Sequence, residues 1–174
     1  MKLDINKFVL NKSTDNIYQI LHDDNVLKFW SPKILAPFGI DNEYNKYLIK
    51  LELDKDDDNS DHMHLKKILL HIENLIKKKL DIEDIEFKSI IKLRPNKNDL
   101  IECRVKSIKK SIVTTIDYED KTNNYLKTIF DLPKQSYIKI QFEIYGLWDY
   151  RDPDIKAKNK AGLIVYASKI IVLE

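Results

Sequence analysis

One segment near the C-terminal end of the chain, YGLWDYRDPDIKAKNK, interleaves aromatic rings with cationic side chains. These residues are Tyr145, Trp148, Tyr150, Arg151, Lys156, Lys158 and Lys160. Aromatic rings stack on the bases of a single-stranded nucleic acid, and cations along the same groove neutralise its phosphates. We predict a long loop here, because long loops with aromatic and cationic residues are often functional. For Trp148 the alternative is structural, since a large ring could also plug the end of a barrel.

Further candidates of the same two kinds are spread along the rest of the chain. The outward faces of predicted strands, together with one turn, carry Lys88, Lys92, Arg94, Arg104, Lys106, Tyr137 and Lys139. The segment FWSPKILAPFG and the start of the strand after it add Trp30, Lys33, Phe38 and Lys46. Trp30 has the same structural alternative as Trp148. The formal charge is only +2, from 30 basic and 28 acidic residues, so a cationic site requires that the charges be segregated on the surface.

Catalytic and metal-binding patterns are weak in this sequence. Cys103, the single cysteine, falls on the apolar face of a predicted strand, which favours a buried structural role over that of a nucleophile. His62 and His64 are two residues apart, so on a helix they point in different directions and cannot share a metal ion. The acidic run at 54–61 lacks the glycine and the glutamate of a calcium loop and is better explained as a solvated loop before a helix. We therefore predict that the protein is not an enzyme and uses no cofactor and no metal.

The elements that must position the candidate residues follow from hydrophobic periodicity. Apolar residues three and four apart predict an amphipathic helix over Ser60–Leu80, with Asn59 or Ser60 as its N-cap. Alternation predicts strands at Lys7–Leu10, Val26–Trp30, Tyr44–Asp54, Glu86–Leu93, Leu100–Ser107, Ser111–Asp117, Tyr125–Phe130, Gln135–Tyr145 and Leu163–Leu173. A helical turn is predicted at Asp15–Leu21 and irregular backbone at Pro32–Gly39. In these registers Tyr47 faces the core, whereas Glu143 and Tyr145 face outward.

One helix among many short strands predicts a mainly β, α+β protein. The natural candidate is a five-stranded Greek-key barrel with the amphipathic helix inserted between strands. The length of 174 residues predicts a single domain over 1–174, in which 1–43 form an irregular lead-in packed on the barrel. No apolar run is long enough for a membrane span, and the N-terminus does not have the pattern of a signal peptide. With a single cysteine, an intracellular location is expected.

Two segments resemble known single-stranded DNA-binding proteins. The C-terminal segment SYIKIQFEIYGLWDYRDPDIKAKNKAGLIVYASKIIVLE resembles the last hairpin of the OB-fold proteins of podophages, in which a strand runs into an aromatic loop and a small-residue start opens a long final strand. The segment FWSPKILAPFGI, with YNKYLIKLEL after it, is similar to the corresponding proteins of large nucleocytoplasmic DNA viruses. The resemblance extends over most of residues 26–174 as an order of elements. The podophage proteins carry an acidic C-terminal tail that recruits replication partners; the sequence stops at Glu174, at the end of a predicted strand, so tail-mediated recruitment is not carried over from the resemblance.

The resemblance implies an OB barrel that coats single-stranded DNA during viral replication, repair or recombination. It also implies replication proteins of the same virus as partners, and a location in the host cytoplasm or nucleus. From the residues themselves we favour non-catalytic binding of single-stranded DNA with little sequence preference. One alternative is a protein-interaction scaffold that docks through Trp148, Tyr150 and the region of Tyr44 and Tyr47. Another is an RNA-binding OB-fold protein. A homo-oligomer paired through the long final strand also stays open.

Overall fold

The computed structural model of the chain describes residues 3–43, 46–55, 60–80, 86–108, 111–119, 128–150 and 160–173. Its strands are β1 (Phe8–Thr14), β2 (Ile17–His22), β3 (Leu27–Trp30), β4 (Ile34–Ala36), β5 (Ile40–Glu43), β6 (Lys46–Leu53), β7 (Glu86–Lys88), β8 (Ile91–Lys92), β9 (Asp99–Val105), β10 (Ser107–Ile108), β11 (Ser111–Ile112), β12 (Thr115–Tyr118), β13 (Ser136–Asp149) and β14 (Lys160–Leu173). An α-helix, α1 (Asp61–Leu80), lies between β6 and β7, and Ile5–Lys7 and Ile129–Asp131 form short 3-10 helices.

Five of these strands close into a barrel. Antiparallel pairing joins β4 to β6 and β6 to β9, and a parallel pairing joins β9 to β14. Strands β13 and β14 pair over almost their full length, and β13 also pairs with β4, which closes the ring. When β4, β6, β9, β13 and β14 are numbered 1 to 5 in chain order, their order around the barrel is 1-2-3-5-4, and strand 4 pairs with strand 1. This closed five-stranded ring with an inserted helix confirms the predicted mainly β OB-fold barrel.

The barrel core is filled by the alternating inward positions of its strands. Ile49, Leu51 and Leu53 on β6 are fully buried, and so are Ile101 and Cys103 on β9. The residues on the other face of both strands are mostly polar or charged and lie at the surface or at its edge, apart from two buried leucines, Leu48 in β6 and Leu100 in β9. The predicted period-two pattern is therefore confirmed for these strands, because one face of each is covered by the core and the other faces solvent.

Helix α1 covers the core with one apolar stripe. Leu65, Leu69, Ile72 and Ile76 are buried at spacings of three and four residues, as predicted. The hydroxyl of Ser60 accepts a hydrogen bond from the backbone N–H of Met63, which confirms Ser60 as a capping residue. The helix carries several lysines and histidines, and none of the described helices is both long and apolar enough to cross a membrane.

The expectation of an irregular lead-in over residues 1–43 is wrong for most of this segment. Residues 15–21 are not a helical turn, because β2 pairs with β1 on one side and with β13 on the other. Pro32 and Pro37 flank a barrel strand, β4, where irregular backbone was predicted. Proline is tolerated at the ends of a strand, where its missing N–H removes no ladder hydrogen bond. That the chain forms one domain over residues 1–174 stays a prediction.

Two further boundaries differ from the predictions. Strand β13 continues to Asp149, so YGLWD belongs to a strand and not to a loop, and Trp148 lies opposite Gly162 on β14. Of the strand predicted at Tyr125–Phe130, residues 125–127 lie outside the described part, and Ile129 and Phe130 belong to a 3-10 helix. In β13, register shifts near Phe142 and Tyr145 change the alternation, which a strict period of two does not anticipate.

Candidate nucleic-acid interface

A groove crosses the outer face of β6, β9 and β14. It consists of two adjoining cavities of about 690 and 560 Å³ that share Lys46 and Arg104. The strands place these residues together, because Arg104 is the register partner of both Leu48 on β6 and Tyr166 on β14. The second and third barrel strands form the face on which OB-fold barrels bind oligonucleotides. We call this surface the groove.

Cations on the floor of the groove lack carboxylate partners in the part of the chain that the structure describes. Within the described residues, Lys46, Lys88 and Arg104 form no ion pair. The positive charge of Arg104, and to a smaller extent burial, lowers the pKa of Lys46. Lys92 also lines the groove, but its ammonium is paired with the carboxylate of Glu102. The floor therefore keeps unbalanced positive charge that an anion would compensate.

Trp148 and Tyr150 form an aromatic wall at one end of the groove. Their ring centroids are 5.6 Å apart and the ring planes make an angle of 44°. Trp148 projects from the outer face of β13 between Ile17 on β2 and Gly162 on β14, its two register partners. A Cβ at position 162 would lie only 2.7 Å from the indole, so the glycine leaves the space that the ring occupies. The indole is half-buried and Tyr150 is 53% exposed, so both rings combine a fixed position with an accessible face.

Tyrosines lie at the other end of the groove. Tyr47 and Tyr166 line it, and Tyr145 meets Tyr166 edge-to-face with centroids 5.4 Å apart. Burial raises the pKa of Tyr166, although the nearby charge of Arg104 opposes the effect. Tyr47 was predicted to face the core, but it is half-buried in the groove and contacts Phe130 edge-to-face. Tyr47 lies at the start of β6, before the first residue that pairs with β9, and this position explains the difference.

Besides Lys92, three further predicted site residues are engaged in ion pairs. Arg94 bonds the carboxylate of Glu52 and the carbonyl of Asn98, which fixes the turn before β9. Lys160 lies 3.2 Å from the carboxylate of Glu86, which belongs to the parallel neighbour β7. Lys106 pairs with the carboxylate of Glu143 on β13.

Glu143 was predicted to face solvent and is instead 2% exposed. Its Oε1 accepts a hydrogen bond from Lys106 at 2.5 Å, and its Oε2 lies 3.3 Å from the ammonium of Lys28. Lys28 is the register partner of Glu143 on β3. The two long lysine side chains cover the carboxylate. The alternation of residues within β13 alone could not predict this burial, because both lysines belong to other parts of the chain.

Other predicted residues lie away from the groove. Trp30, Lys33, Tyr137 and Lys139 lie on the outer face of β3, β4 and β13 or beside it, and Phe38 follows β4. All five are exposed. Arg151, Lys156 and Lys158 lie outside the described residues, as does Tyr44. The structure thus divides the predicted set into a groove and a second surface.

Sequence reasoning missed Tyr166, Asn42 and Ile17, which line the groove. Tyr166 belongs to the final strand, whose many apolar residues suggested burial on both faces. The signal that could have found it is the pair Tyr166 and Ser168, which places polar atoms on one face of that strand.

Cys103 and His62, which were considered for catalysis and metal binding, make structural contacts. Burial raises the pKa of the Cys103 thiol, whose Sγ contacts the carbonyl of Ile49. His62 donates through Nε2 to the carbonyl of Lys33 and accepts at Nδ1 from the backbone N–H of Asp54, so the imidazole joins two loops. No cluster of three or more histidine, cysteine or acidic residues suited to a metal ion occurs in the described part of the chain.

Comparison with known proteins gives a likeness in fold only. No protein-family model matches the sequence, and no curated protein matches it. Among solved structures, the chain is similar to gp2.5, a single-stranded DNA-binding protein encoded by bacteriophage T7, with a TM-score of 0.50 and 9% identity over 86% of this chain and 87% of that one. A truncated single-stranded DNA-binding protein from bacteriophage Enc34 aligns with a TM-score of 0.47 and 14% identity over 97% of this chain and 96% of that one.

Proposed function

We propose that this protein binds single-stranded DNA, without catalysis and with little sequence preference, in the groove on β6, β9 and β14. The observation that carries the proposal is the combination of Lys46 and Arg104, two neighbouring cations with no ion pair in the described part of the chain, with the aromatic wall of Trp148 and Tyr150. A like-charged pair costs folding free energy, so its presence on an open surface favours an anionic ligand.

The groove would hold the two parts of a nucleotide separately. Lys46, Lys88 and Arg104 would neutralise phosphates along the floor, while Trp148 and Tyr150 would stack on bases, each stacked base contributing about 1–3 kcal/mol. Phosphates and base faces are common to all sequences, so this mode of recognition does not select a sequence. A duplex presents stacked bases whose faces are covered, so the aromatic wall favours a single strand.

The likeness to gp2.5 supports this proposal, because gp2.5 is a single-stranded DNA-binding protein and the two folds align over most of both chains. We further propose, from the resemblance of the two sequence segments, that the protein acts in viral DNA replication, repair or recombination with replication proteins as partners, inside the host cell. The arrangement of cations on the floor of the groove and aromatic rings at its end is an observation that does not depend on the sequence resemblance.

The direct test is a fluorescence-anisotropy titration of a labelled oligothymidylate of about 15 nucleotides, near the upper site size of one OB fold. We expect binding at low salt that weakens as salt rises, with a log–log slope of about −0.7 per phosphate contact. Replacing Lys46 and Lys88 together by alanine should remove about two phosphate contacts and so reduce the magnitude of the slope by about 1.4. Absence of binding to any oligomer at low salt would refute the proposal.

A matched control separates groove charge from total charge. Lys67 and Lys78 are exposed on α1, away from the groove, so the double variant Lys67→Ala/Lys78→Ala changes the net charge equally. It should bind like the unmodified protein. An oligouridylate of the same length tests the RNA alternative: tighter binding of the RNA would reassign the groove to RNA.

A further inference from the structure

Outside the groove, Trp30, Lys33, Tyr137 and Lys139 form a second aromatic and cationic surface, here called the β13 row. On β13, Tyr137, Lys139 and Gln141 share the outward face, because the residues between them are fully buried. Trp30 on β3 is the register partner of Gln141, so its ring stands on the same face. The row therefore has an aromatic ring at each end and a cation between them.

The geometry of the β13 row is fixed by the fold. Four residues of extended strand separate Tyr137 from Gln141, or about 14 Å along β13. The ammonium of Lys33 lies 4.7 Å from the centre of the Tyr137 ring, over its face. The backbone of Lys33 is held in turn by the imidazole of His62 on α1. Trp30 is 42% exposed and Tyr137 is 48% exposed, so both rings are accessible.

The charge of the β13 row is also unbalanced. Lys33 and Lys139 form no ion pair with any carboxylate in the described ranges. The next acidic residue along the outward face of β13, Glu143, is buried beneath Lys28 and Lys106. The two ammonium groups that pair with this single carboxylate leave an excess of one positive charge above it. A polyanion is the occupant that this charge favours.

The β13 row and the groove lie on one continuous face. Beyond Glu143, the same outer side of β13 carries Tyr145, which contacts Tyr166 in the groove, and then Trp148 in the aromatic wall. A chain that leaves the groove past Tyr166 and Tyr145 reaches Trp30 without crossing an exposed carboxylate of β13. The two surfaces therefore lie at different positions along the same strand, β13.

We propose that the β13 row is a second contact surface for the same DNA strand, used only by strands longer than the groove. This inference rests on the proposed function and adds a length-dependent part to it. Trp30 and Tyr137 stack on bases, and Lys33 and Lys139 meet phosphates. A docked acidic protein segment and a second copy of this chain are the competing occupants.

The test compares a short and a long oligothymidylate, of roughly 8 and 30 nucleotides; the first lies within and the second exceeds the site sizes of one OB fold, which are about 4–16 nucleotides. The double variant Trp30→Ala/Tyr137→Ala should bind the short oligomer like the unmodified protein. It should bind the long oligomer at least about thirtyfold more weakly, from the loss of two stacked bases. The variant Leu70→Ala/Lys67→Ala on exposed positions of α1 is the control and should leave both affinities unchanged.

Tryptophan fluorescence gives an independent readout, because Trp30 and Trp148 are the two tryptophans of the chain. In the variant Trp148→Phe, the remaining indole reports on the β13 row, and it should be quenched by the long oligomer but not by the short one. In Trp30→Phe, the remaining indole reports on the groove and should be quenched by both. Circular dichroism and thermal unfolding of each variant verify that it is folded.

The outcomes separate this inference from the proposed function. If the unmodified protein binds neither oligomer, the proposed function fails. If it binds both but the β13-row variants retain full affinity for the long one, only the present inference fails. Sedimentation of the DNA-free protein at increasing concentration covers the remaining case, because self-association lost in the Trp30→Ala/Tyr137→Ala variant would assign the row to a second copy.

Discussion

Arg104 on β9 lies diagonally across the sheet from Lys46 on β6, and its charge lowers the pKa of that lysine. The register places Arg104 directly opposite Leu48, so Lys46 is its neighbour two residues along. Diagonal neighbours are within reach of long side chains, and like charges at such positions destabilise a sheet. The repulsion between these two cations therefore lowers the stability of the fold, and the same two charges favour the binding of an anion.

Replacing Arg104 by glutamine should therefore stabilise the fold slightly and weaken DNA binding. Glutamine keeps most of the packing but removes the repulsion of Lys46, so we expect a gain of up to about 0.5 kcal/mol in the free energy of unfolding. Binding should lose about one phosphate contact, which reduces the salt slope by about 0.7. Urea unfolding and anisotropy titrations measure the two effects.

Arg94→Gln is the matched control, because the guanidinium of Arg94 is engaged by Glu52 and by the carbonyl of Asn98. It should lower stability and leave the affinity for DNA unchanged. Loss of stability in Arg104→Gln with unchanged binding would contradict the role assigned to the groove.

Gly162→Ala should weaken binding of the short oligomer although position 162 need not touch DNA. The new methyl group would lie 2.7 Å from the Trp148 ring and 3.0 Å from the carbonyl oxygen of Lys88. The ring is the softer neighbour, so it should move and lose its stacking geometry, with a loss of about 1 kcal/mol or more in binding. Isothermal titration calorimetry measures the affinity.

A double-mutant cycle tests this explanation. Phenylalanine at position 148 is smaller, so Gly162→Ala should have little further effect in a Trp148→Phe background. Equal losses in both backgrounds would show that the methyl group acts on the strand pairing of β14 and not on the indole.

Glu143→Gln should destabilise the protein. The substitution leaves the ammonium groups of Lys28 and Lys106 without the carboxylate that they cover, and hydrogen bonds to charged groups contribute roughly 1–3 kcal/mol. The exposed Glu119→Gln is the control and should change stability by less than about 0.5 kcal/mol. Thermal unfolding followed by circular dichroism distinguishes these values, and equal melting temperatures for the two variants would contradict the prediction.

Asp99 should make stability depend on pH in the acid range. Burial would raise the pKa of this carboxyl, but hydrogen bonds from Lys55, Lys66 and the backbone N–H of Arg94 outweigh it and hold the pKa at about 2, below its ordinary value of 3.8. Because the pKa is lower in the folded state, the contribution is fully present above about pH 4 and is lost as the pH falls toward 2.

The measurement is urea unfolding of Asp99→Asn and of the unmodified protein across that range. At neutral pH the variant should be less stable by roughly 1–3 kcal/mol. The difference should shrink as the pH falls from about 4 to about 2, because the native carboxyl becomes protonated. The variant Asp117→Asn removes an exposed carboxylate paired with Lys169 and should show little pH-dependent difference.

Periodicity in the sequence predicted the central elements well. The stripe of Leu65, Leu69, Ile72 and Ile76 and the alternation of β6 and β9 are local signals, since each residue's burial depends on a single face of its own element. The OB-fold barrel with an inserted helix followed from the order of these elements. Strands β1 and β3 overlap the predictions at Lys7–Leu10 and Val26–Trp30, whereas β2 and β4 were missed, because they are stabilised by pairing with distant β13 and carry only weak alternation.

The sequence by itself determined the barrel, the helix, the buried position of Cys103 and the supply of aromatic and cationic residues. Only the tertiary structure decided how those residues are grouped. Register across β6, β9 and β14 brings Lys46, Arg104 and Tyr166 into one groove, and pairing of β3 with β13 buries Glu143 and places Trp30 in a separate row. Such groupings depend on contacts between residues far apart in the chain, and a strand's own pattern fixes its faces but not its neighbours.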